Sequence, residues 1–341
     1  STAFEDSLEY TVGVYMSREH LENSPGGHLI GPGGYLGLDL GGPVVALPPA
    51  VAGFRRAELA EYENDAEAAF FQGTWHFNEQ WQLTIGGRYT QEEKTAEQRN
   101  FIAAPSDGQT LSREEFDALE NEIQTVIPDS SLPYFKDSDS WDNFSPSISL
   151  SMMAPQSWLS DTGLNSGMFY LSASEGFKAG GIELFGTEPV AFDPETVLSY
   201  EFGFKLDMLA QRLRLNGAIY HSKYDDIQLK VTRRLGELET DSGITNAAKS
   251  TIRGGELELT ALPVEGLPLR ATASYVNAEY DEFVDLLEKD TGLELVDRSG
   301  EDFPFLPEQT YSWLIQYDWG SDIGLVTPRL SGYYKDSIFI G

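Results

Sequence analysis

The chain reads as an all-β membrane protein, a transmembrane antiparallel β-barrel of which about eleven strands are visible across residues 1–341. Three observations predict it. Short stretches alternate apolar and polar residues with a period of two, the signature of strands rather than helices. The segments joining them alternate between long and short through the whole chain, as expected when long loops face outside and short turns face the periplasm. No run of about 18 apolar residues exists, which excludes a membrane helix, whereas a membrane strand needs only about 9–11 residues.

The predicted strands are 8–16, 69–77, 81–91, 143–152, 167–176, 197–207, 212–232, 249–261, 267–280, 307–318 and 324–335. In 69–77, Ala69, Phe71, Gly73, Trp75 and Phe77 share one face, with Gln72, Thr74 and His76 opposite. After Asn78-Glu79-Gln80, the residues Trp81, Leu83, Ile85, Gly87 and Tyr89 share a face against Gln82, Thr84, Gly86 and Arg88. In 144–152, Phe144, Pro146, Ile148, Leu150 and Met152 alternate with four serines. Tyr200, Phe202, Phe204 and Leu206 alternate with Glu201, Gly203 and Lys205; Gly255, Leu257 and Leu259 alternate with Gly254, Glu256, Glu258 and Thr260. A Lys or Arg on the lipid face costs about 2–4 kcal/mol at the bilayer midplane, so these charges are expected to face a wet lumen. Strand 212–232 exceeds a bilayer's thickness. Its odd-numbered phase runs from Leu213 to Ile219, is interrupted by His221, Lys223 and Asp225, and resumes at Ile227, Leu229 and Val231, which fits a strand projecting beyond the membrane.

The predicted long connections are 17–68, 92–142, 177–196, 233–248 and 281–306. The short ones are 78–80, Pro155 to Ser166, 208–211, 262–266 and 319–323. Trp75, Phe77 and Trp81 beside one short turn, and Tyr317 and Trp319 beside another, suit the aromatic girdle at the periplasmic interface. The same residues would also serve as the aromatic end of a sandwich core.

Composition narrows the function. The net charge of −32 argues against a nucleic-acid partner, which requires a basic surface. The absence of Cys excludes disulfides, thiolate metal sites and thiol nucleophiles. No G-x-S-x-G elbow or H-E-x-x-H helix is present, and the pair Glu256/Glu258 is accounted for by a hydrated lumen without glycoside hydrolysis. The chain is therefore expected not to be an enzyme and to need no cofactor. Asp137, Asp139 and Asp142 have a spacing suggestive of an oxygen-ligand Ca2+ site, although they lack the glycine turn of a calcium loop, and a solvated acidic surface is the plainer alternative. Asp281, Glu282, Asp285, Glu288 and Asp290 read as solubility and loop structure. Phe116, Leu119, Ile123 and Val126 fit a short amphipathic helix over 111–126 ended near Pro128, which could cap the lumen or pack within a loop. His76 reads as a lumenal polar residue and His221 as part of the projecting strand. His20 and His28, in the first long loop, could touch haem or iron chelates. Gly26, Gly27, Gly31, Gly33 and Gly34 lack the Lys-Ser/Thr ending of a phosphate loop and read as an external loop. No catalytic, metal or cofactor residue is assigned, and the ligand contacts are unknown.

The strings WQLTIGGRYTQEEK (81–94), WDNFSPSISLS (141–151), FYLSASEGFKAGGIE (169–183), FDPETVLSYEFGFK (192–205), YDDIQL (224–229), NAAKSTIRGGELELTALP (246–263), ASYVNAEYDEF (273–283) and LPEQTYSWLIQYDW (306–319) follow one another in an order that resembles the TonB-dependent outer-membrane receptors. The resemblance implies a middle-to-late portion of a 22-strand barrel, a fragment without the plug domain, the energy-coupling box and the closing strand. It further implies a multi-pass protein of the Gram-negative cell outer membrane, in contact with lipid and lipopolysaccharide and monomeric when full length. Active uptake of a scarce solute would be driven by TonB-ExbB-ExbD through the plug, with a ferric siderophore or other iron chelate as the expected cargo and haem, cobalamin or an oligosaccharide as others. The competing expectations are a passive porin or outer-membrane adhesin, and a secreted β-sandwich that binds glycans.

Overall fold

An alternating sequence forms a wide sheet only if every strand's apolar set falls opposite its neighbour's, because a one-residue slip sends the whole set to the other face. A computed structural model of the chain, which describes residues 2–3, 7–22, 26–29, 55–103, 134–155, 157–159, 163–183, 189–234, 240–289, 292–322 and 324–340, meets that condition. Its strands are β1 (Thr2–Ala3), β2 (Leu8–Glu22), β3 (Gly26–Leu29), β4 (Arg55–His76), β5 (Trp81–Ala103), β6 (Tyr134–Met153), β7 (Leu164–Lys178), β8 (Gly181–Glu183) and β9 (Val190–Phe192). They continue as β10 (Glu195–Met208), β11 (Leu213–Arg234), β12 (Thr240–Ala261), β13 (Leu269–Lys289), β14 (Gly292–Asp297), β15 (Gln309–Gln316), β16 (Trp319–Ser321), β17 (Gly324–Val326) and β18 (Arg329–Lys335).

The main sheet runs β2-β4-β5-β6-β7-β10-β11-β12-β13-β15-β18, with β1 beside β2, β3 on β4 and β14 on β13. Those eleven path strands fall where the alternation predicts them. β8–β9 and β16–β17 are separate hairpins. Among the described residues the sheet keeps two edges, since β2 and β18 lie at opposite ends of the path.

One row of Cα partners across the sheet runs Leu8, Trp75, Leu83, Leu150, Leu171, Phe202, Ile219, Gly255, Tyr275. The adjacent row on the other face runs Glu9, Thr74, Thr84, Ser149, Ser172, Glu201, Tyr220, Gly254. Apolar therefore meets apolar and polar meets polar across the sheet. Hydroxyls pair across the polar face: Thr74 with Thr84 at 2.9 Å, Ser199 with Ser222 at 2.8 Å and Thr272 with Ser312 at 2.6 Å. Where glycine leaves a gap, a neighbouring ring covers it, as Phe204 does over Gly217 and Tyr170 over Gly203.

Large apolar side chains on one face of the sheet lie open on the surface, as they would not in a soluble protein. Val14 is 77% exposed, Ile219 62% and Leu171 58%, whereas Ser250 is 0% exposed and Ser151 8%. A contiguous apolar surface of this extent needs a cover, and on a barrel wall lipid is that cover.

The row also reports strand tilt. Trp75 stands one residue from the short-turn end of β4, and Tyr275 stands six from that of β13. With the short turns at one level, this offset of about 17 Å across about 34 Å of sheet corresponds to a tilt of about 27°, somewhat below the range of closed barrels.

Three expectations need correction. The strands run far beyond the membrane: β4 has 22 residues, about 73 Å of chain. Much of what is described in 17–68, 92–142 and 281–306 is therefore strand, and the described residues of 233–248, 233–234 and 240–248, are all strand, with Arg234 paired to Thr240. Second, the apolar phase of β11 does not continue. The register shifts at 225–227, where Asp226 has φ 58°, and this bulge turns Ile227 and Val231 onto the polar face with Tyr224 and Tyr280. Third, 324–326 belongs to the β16–β17 hairpin within a longer turn, and the last strand starts at Arg329.

Candidate functional site

Two clusters of buried apolar side chains lie at the long-loop end of the polar wall among the described residues. Residues 179–183 leave β7 and pack on Ala96 and Trp141 of the polar face at the β5–β6 side, whereas at the β11–β12 side the segment meets Gln228, which alternates with the polar-face residues Ile227 and Val231. All five are buried, in a chain whose strands are otherwise largely exposed or half-buried. Ala179 and Ile182 pack with Trp141 and Ala96, and Tyr62, Phe135 and Phe177 surround them. The fit admits no side chain at Gly180, where a Cβ would collide with the Phe192 carbonyl and come within 2.5 Å of the Trp141 ring.

Polar groups fasten the segment at both sides. From β5, Lys94 donates to the Gly180 carbonyl at 2.7 Å and lies 5.7 Å from the Trp141 ring centre. From β11, the Gln228 amide donates to the carbonyls of Ala179 at 2.9 Å and Asp193 at 3.1 Å. From β12, Asn246 accepts from the Asp193 backbone N–H at 2.6 Å and donates to the Asp193 and Asp226 carbonyls, each at 2.8 Å. The buried Glu183 carboxylate accepts from the Ile244 backbone N–H. The segment spans β7 and β10 and joins β5–β6 to β11–β12.

A second cluster comprises Ile227, Val231, Ala248, Tyr280 and Phe283, with Phe303 packed against it. Tyr280 lies 4.4 Å from the Phe303 ring and 4.7 Å from the Phe283 ring. Burial pushes the Tyr280 hydroxyl above its ordinary range, and the Arg298 charge opposes that shift. Arg298 lies 3.6 Å from Asp285 and 2.7 Å from Glu301. Asp285 is thus 8% exposed and ion-paired, not a solvated loop carboxylate. Asp281 accepts from Thr251 at 2.7 Å.

Lower on the wall, Tyr170, Lys205, Asn216, Glu256, Glu258 and Ser274 help to line an open cavity of about 290 Å³. Tyr170 donates to Glu201 at 2.5 Å and Asn216 to Glu258 at 3.2 Å. The charges expected to face a lumen, Glu201, Lys205, Glu256 and Glu258, are all on this face.

The Asp137, Asp139 and Asp142 set is not a Ca2+ site. All three lie on β6, where side chains alternate, so Asp142 projects from the face opposite to Asp137 and Asp139. The carboxylates of Asp137 and Asp139 accept from the next residues' N–H groups. Among the described residues, no three His, Asp or Glu side chains converge on a metal-sized space. His20 is on the outward face opposite Glu63, with 3.6 Å between the groups, so it does not reach the lumen. His76 is on the polar face, 3.5 Å from Glu9, and His221 accepts from Arg253 at 3.3 Å. His28 lies on β3, with its side chain outside the described residues, as are the 111–126 helix, Glu288 beyond its backbone, and Asp290. Of the glycine-rich stretch, only Gly26–Leu29 is described, paired with 55–58.

Residues 15–338 match the family described as TonB dependent receptor-like, beta-barrel. The metal-pseudopaline receptor CntO of Pseudomonas aeruginosa is 29% identical over 171 residues, 50% of this chain and 23% of that protein. The ferric yersiniabactin uptake receptor FyuA from Yersinia pestis superimposes with a TM-score of 0.63 at 14% identity, covering 95% of this chain and 39% of that one. The siderophore receptor PiuA from Acinetobacter baumannii gives 0.58 at 15%, covering 97% and 47%. The match thus spans 23% of the curated relative's length and less than half of each solved receptor.

Proposed function

The chain belongs to the TonB-dependent receptor β-barrel family, and from that premise we propose that the complete protein imports a scarce metal chelate, a ferric siderophore or other iron chelate, across the outer membrane. The two-faced wall carries this reading: lipid-compatible side chains on one face, a hydroxyl- and carboxylate-lined face on the other, and a built-up rim at the long-loop end. A family of transport receptors, not of enzymes, accounts for such a wall without a reacting group.

Import then works by capture and release. Extended strands carry the rim clear of the bilayer, the polar wall supplies a hydrated path, and no bond of the cargo is made or broken. Energy would arrive from TonB-ExbB-ExbD through a plug domain, and the complete receptor would act as a monomer. Relatives named for metal-pseudopaline, ferric yersiniabactin and siderophores support a metal chelate as the cargo class.

The test is uptake by a Gram-negative host expressing the complete receptor, offered a panel of radiolabelled ferric siderophores, haem, cobalamin, an oligosaccharide, and nickel, zinc and cobalt chelates. Saturable accumulation of a ferric chelate is the expected result. Accumulation of only a non-ferric chelate would replace iron with that metal, and accumulation of cobalamin or the oligosaccharide would overturn the chelate assignment.

A further inference from the structure

We propose that residues 179–183, with their return through 190–194, form a fixed sill set into the wall between β5–β6 and β11–β12 and do not swing as a lid. The functional meaning rests on the import reading; the mechanical part stands on geometry alone.

A lid that opens in each cycle must part from the wall along a surface that tolerates exposure. This segment does the opposite. Its five leading residues are buried, Gly180 fits with no space for a methyl group, and the two sides are fastened by unrelated contacts. Lys94 and Trp141 hold it to β5 and β6; Gln228 and Asn246 hold it to β11 and β12. Lifting either side would leave main-chain carbonyls and the buried Glu183 carboxylate without partners, and an unpaired buried polar group is strongly disfavoured.

The bulge at Asp226 supports the same conclusion. It is a strained, locally specific device, with a non-glycine residue at φ 58°, and its carbonyl is where Asn246 makes one of its contacts. The wall is thus shaped to receive the segment. A chord tying β5–β6 to β11–β12 fixes the width of the rim between them, so cargo would enter past the sill and any moving part would lie elsewhere.

The chain contains no cysteine, so a single thiol introduced into it reports one site. Ile182→Cys, at a buried position, is compared with Leu295→Cys, at an exposed one, in the complete receptor on intact cells, with any cysteine outside this chain replaced by serine. A membrane-impermeant maleimide is the probe. Cells with and without TonB are labelled alone and with each ferric siderophore of the uptake panel. The sill predicts that the Ile182→Cys receptor labels at least tenfold more slowly than the Leu295→Cys receptor, and that neither chelate nor TonB changes its rate by more than twofold. Adding Gln228→Ala and Asn246→Ala, or separately Lys94→Met, to Ile182→Cys should raise the rate at least fivefold in receptors that retain heat-modifiable migration. Fast labelling of the Ile182→Cys receptor at rest, or a tenfold rise during uptake, overturns the proposal. So does continued protection in both unfastened variants, because the named contacts would then not hold the segment. If the panel shows no uptake, the import reading fails, while the resting rates still decide whether the segment is fastened.

Discussion

Replacing Ile148 with Lys should destabilise the inserted protein far more than replacing its neighbour Ser147. Ile148 is at the centre of the apolar run from Phe144 to Met152, 47% exposed on the lipid face. Phe144 is four residues away, about 13 Å along the strand, or about 12 Å of height at a tilt of about 27°. That is half of an apolar band about 25 Å tall, so Ile148 sits near the midplane and Phe144 near its boundary. At the midplane Lys costs about 2–4 kcal/mol, equivalent to a drop of about 30- to 900-fold in the folded-to-unfolded ratio, falling to about 0–1 kcal/mol near the interface. Ser147 is on the polar face between Gly86 and Ser174, small neighbours that leave room for a longer chain, and its Lys variant should stay within about 0.5 kcal/mol of the parent. The assay is guanidinium titration of the receptor in phosphatidylcholine bilayers, with constant slope as the check on two-state behaviour. The predicted order of destabilisation is Ile148→Lys, then Phe144→Lys, then Ser147→Lys. A Ser147→Lys loss equal to that of Ile148→Lys would refute the assignment of faces.

Other consequences follow from particular contacts. Leu209, Ala210 and Gln211 hold φ of 54°, 56° and 63° in the β10–β11 turn. Ala210→Gly should therefore stabilise by about 0.5–1 kcal/mol, the relief of a left-handed residue less the entropy of glycine, read as a higher denaturant midpoint. Gly180→Ala should destabilise by about 1–3 kcal/mol through overpacking against Trp141 and the Phe192 carbonyl; an unchanged midpoint would show that the sill is loosely packed. Above the membrane, Arg18 donates twice to Asp65, at 2.6 and 2.7 Å, and the hydrogen bond holds the Asp65 carboxyl below its usual value. A carboxyl lowered in the folded state contributes stability above its unfolded pKa of 3.8, and the contribution disappears as pH falls through the folded value. The difference between parent and Asp65→Asn should be level from about pH 5 to 7 and vanish in acid; growth of the difference in acid would reverse the argument.

The membrane-level fold was legible because lipid on one side and water on the other impose a strict alternation, as in Phe144 to Met152. Above the bilayer water wets both faces, and that signal stops. In β4, Glu61, Glu63, Asp65 and Glu67 occupy the same face as Phe71 and Trp75, so the strand continued where its hydrophobic pattern ended. The bulge at Asp226 was hidden for another reason: it reverses the side-chain phase behind the polar interruption of His221, Lys223 and Asp225, and Ile227, Leu229 and Val231 kept the odd numbering while changing face. The fastened segment was the least legible part. Its Lys-Ala-Gly-Gly run reads as loop chemistry, and its partners Lys94, Trp141, Gln228 and Asn246 are scattered along the chain, with Lys94 86 positions from Gly180. A glycine pair followed at once by Ile182 and Glu183 was the one local hint of a close approach. The Asp137, Asp139 and Asp142 spacing misled because it assumes a loop; on a strand, an odd and an even position cannot share a face.

The most direct test of the whole account is the TonB dependence of ferric-chelate flux through the complete receptor in intact cells. The predicted result is saturable accumulation that requires both the receptor and TonB and ceases when the proton-motive force is collapsed. Non-saturable flux that persists without TonB would contradict it and identify the wall as that of a passive pore.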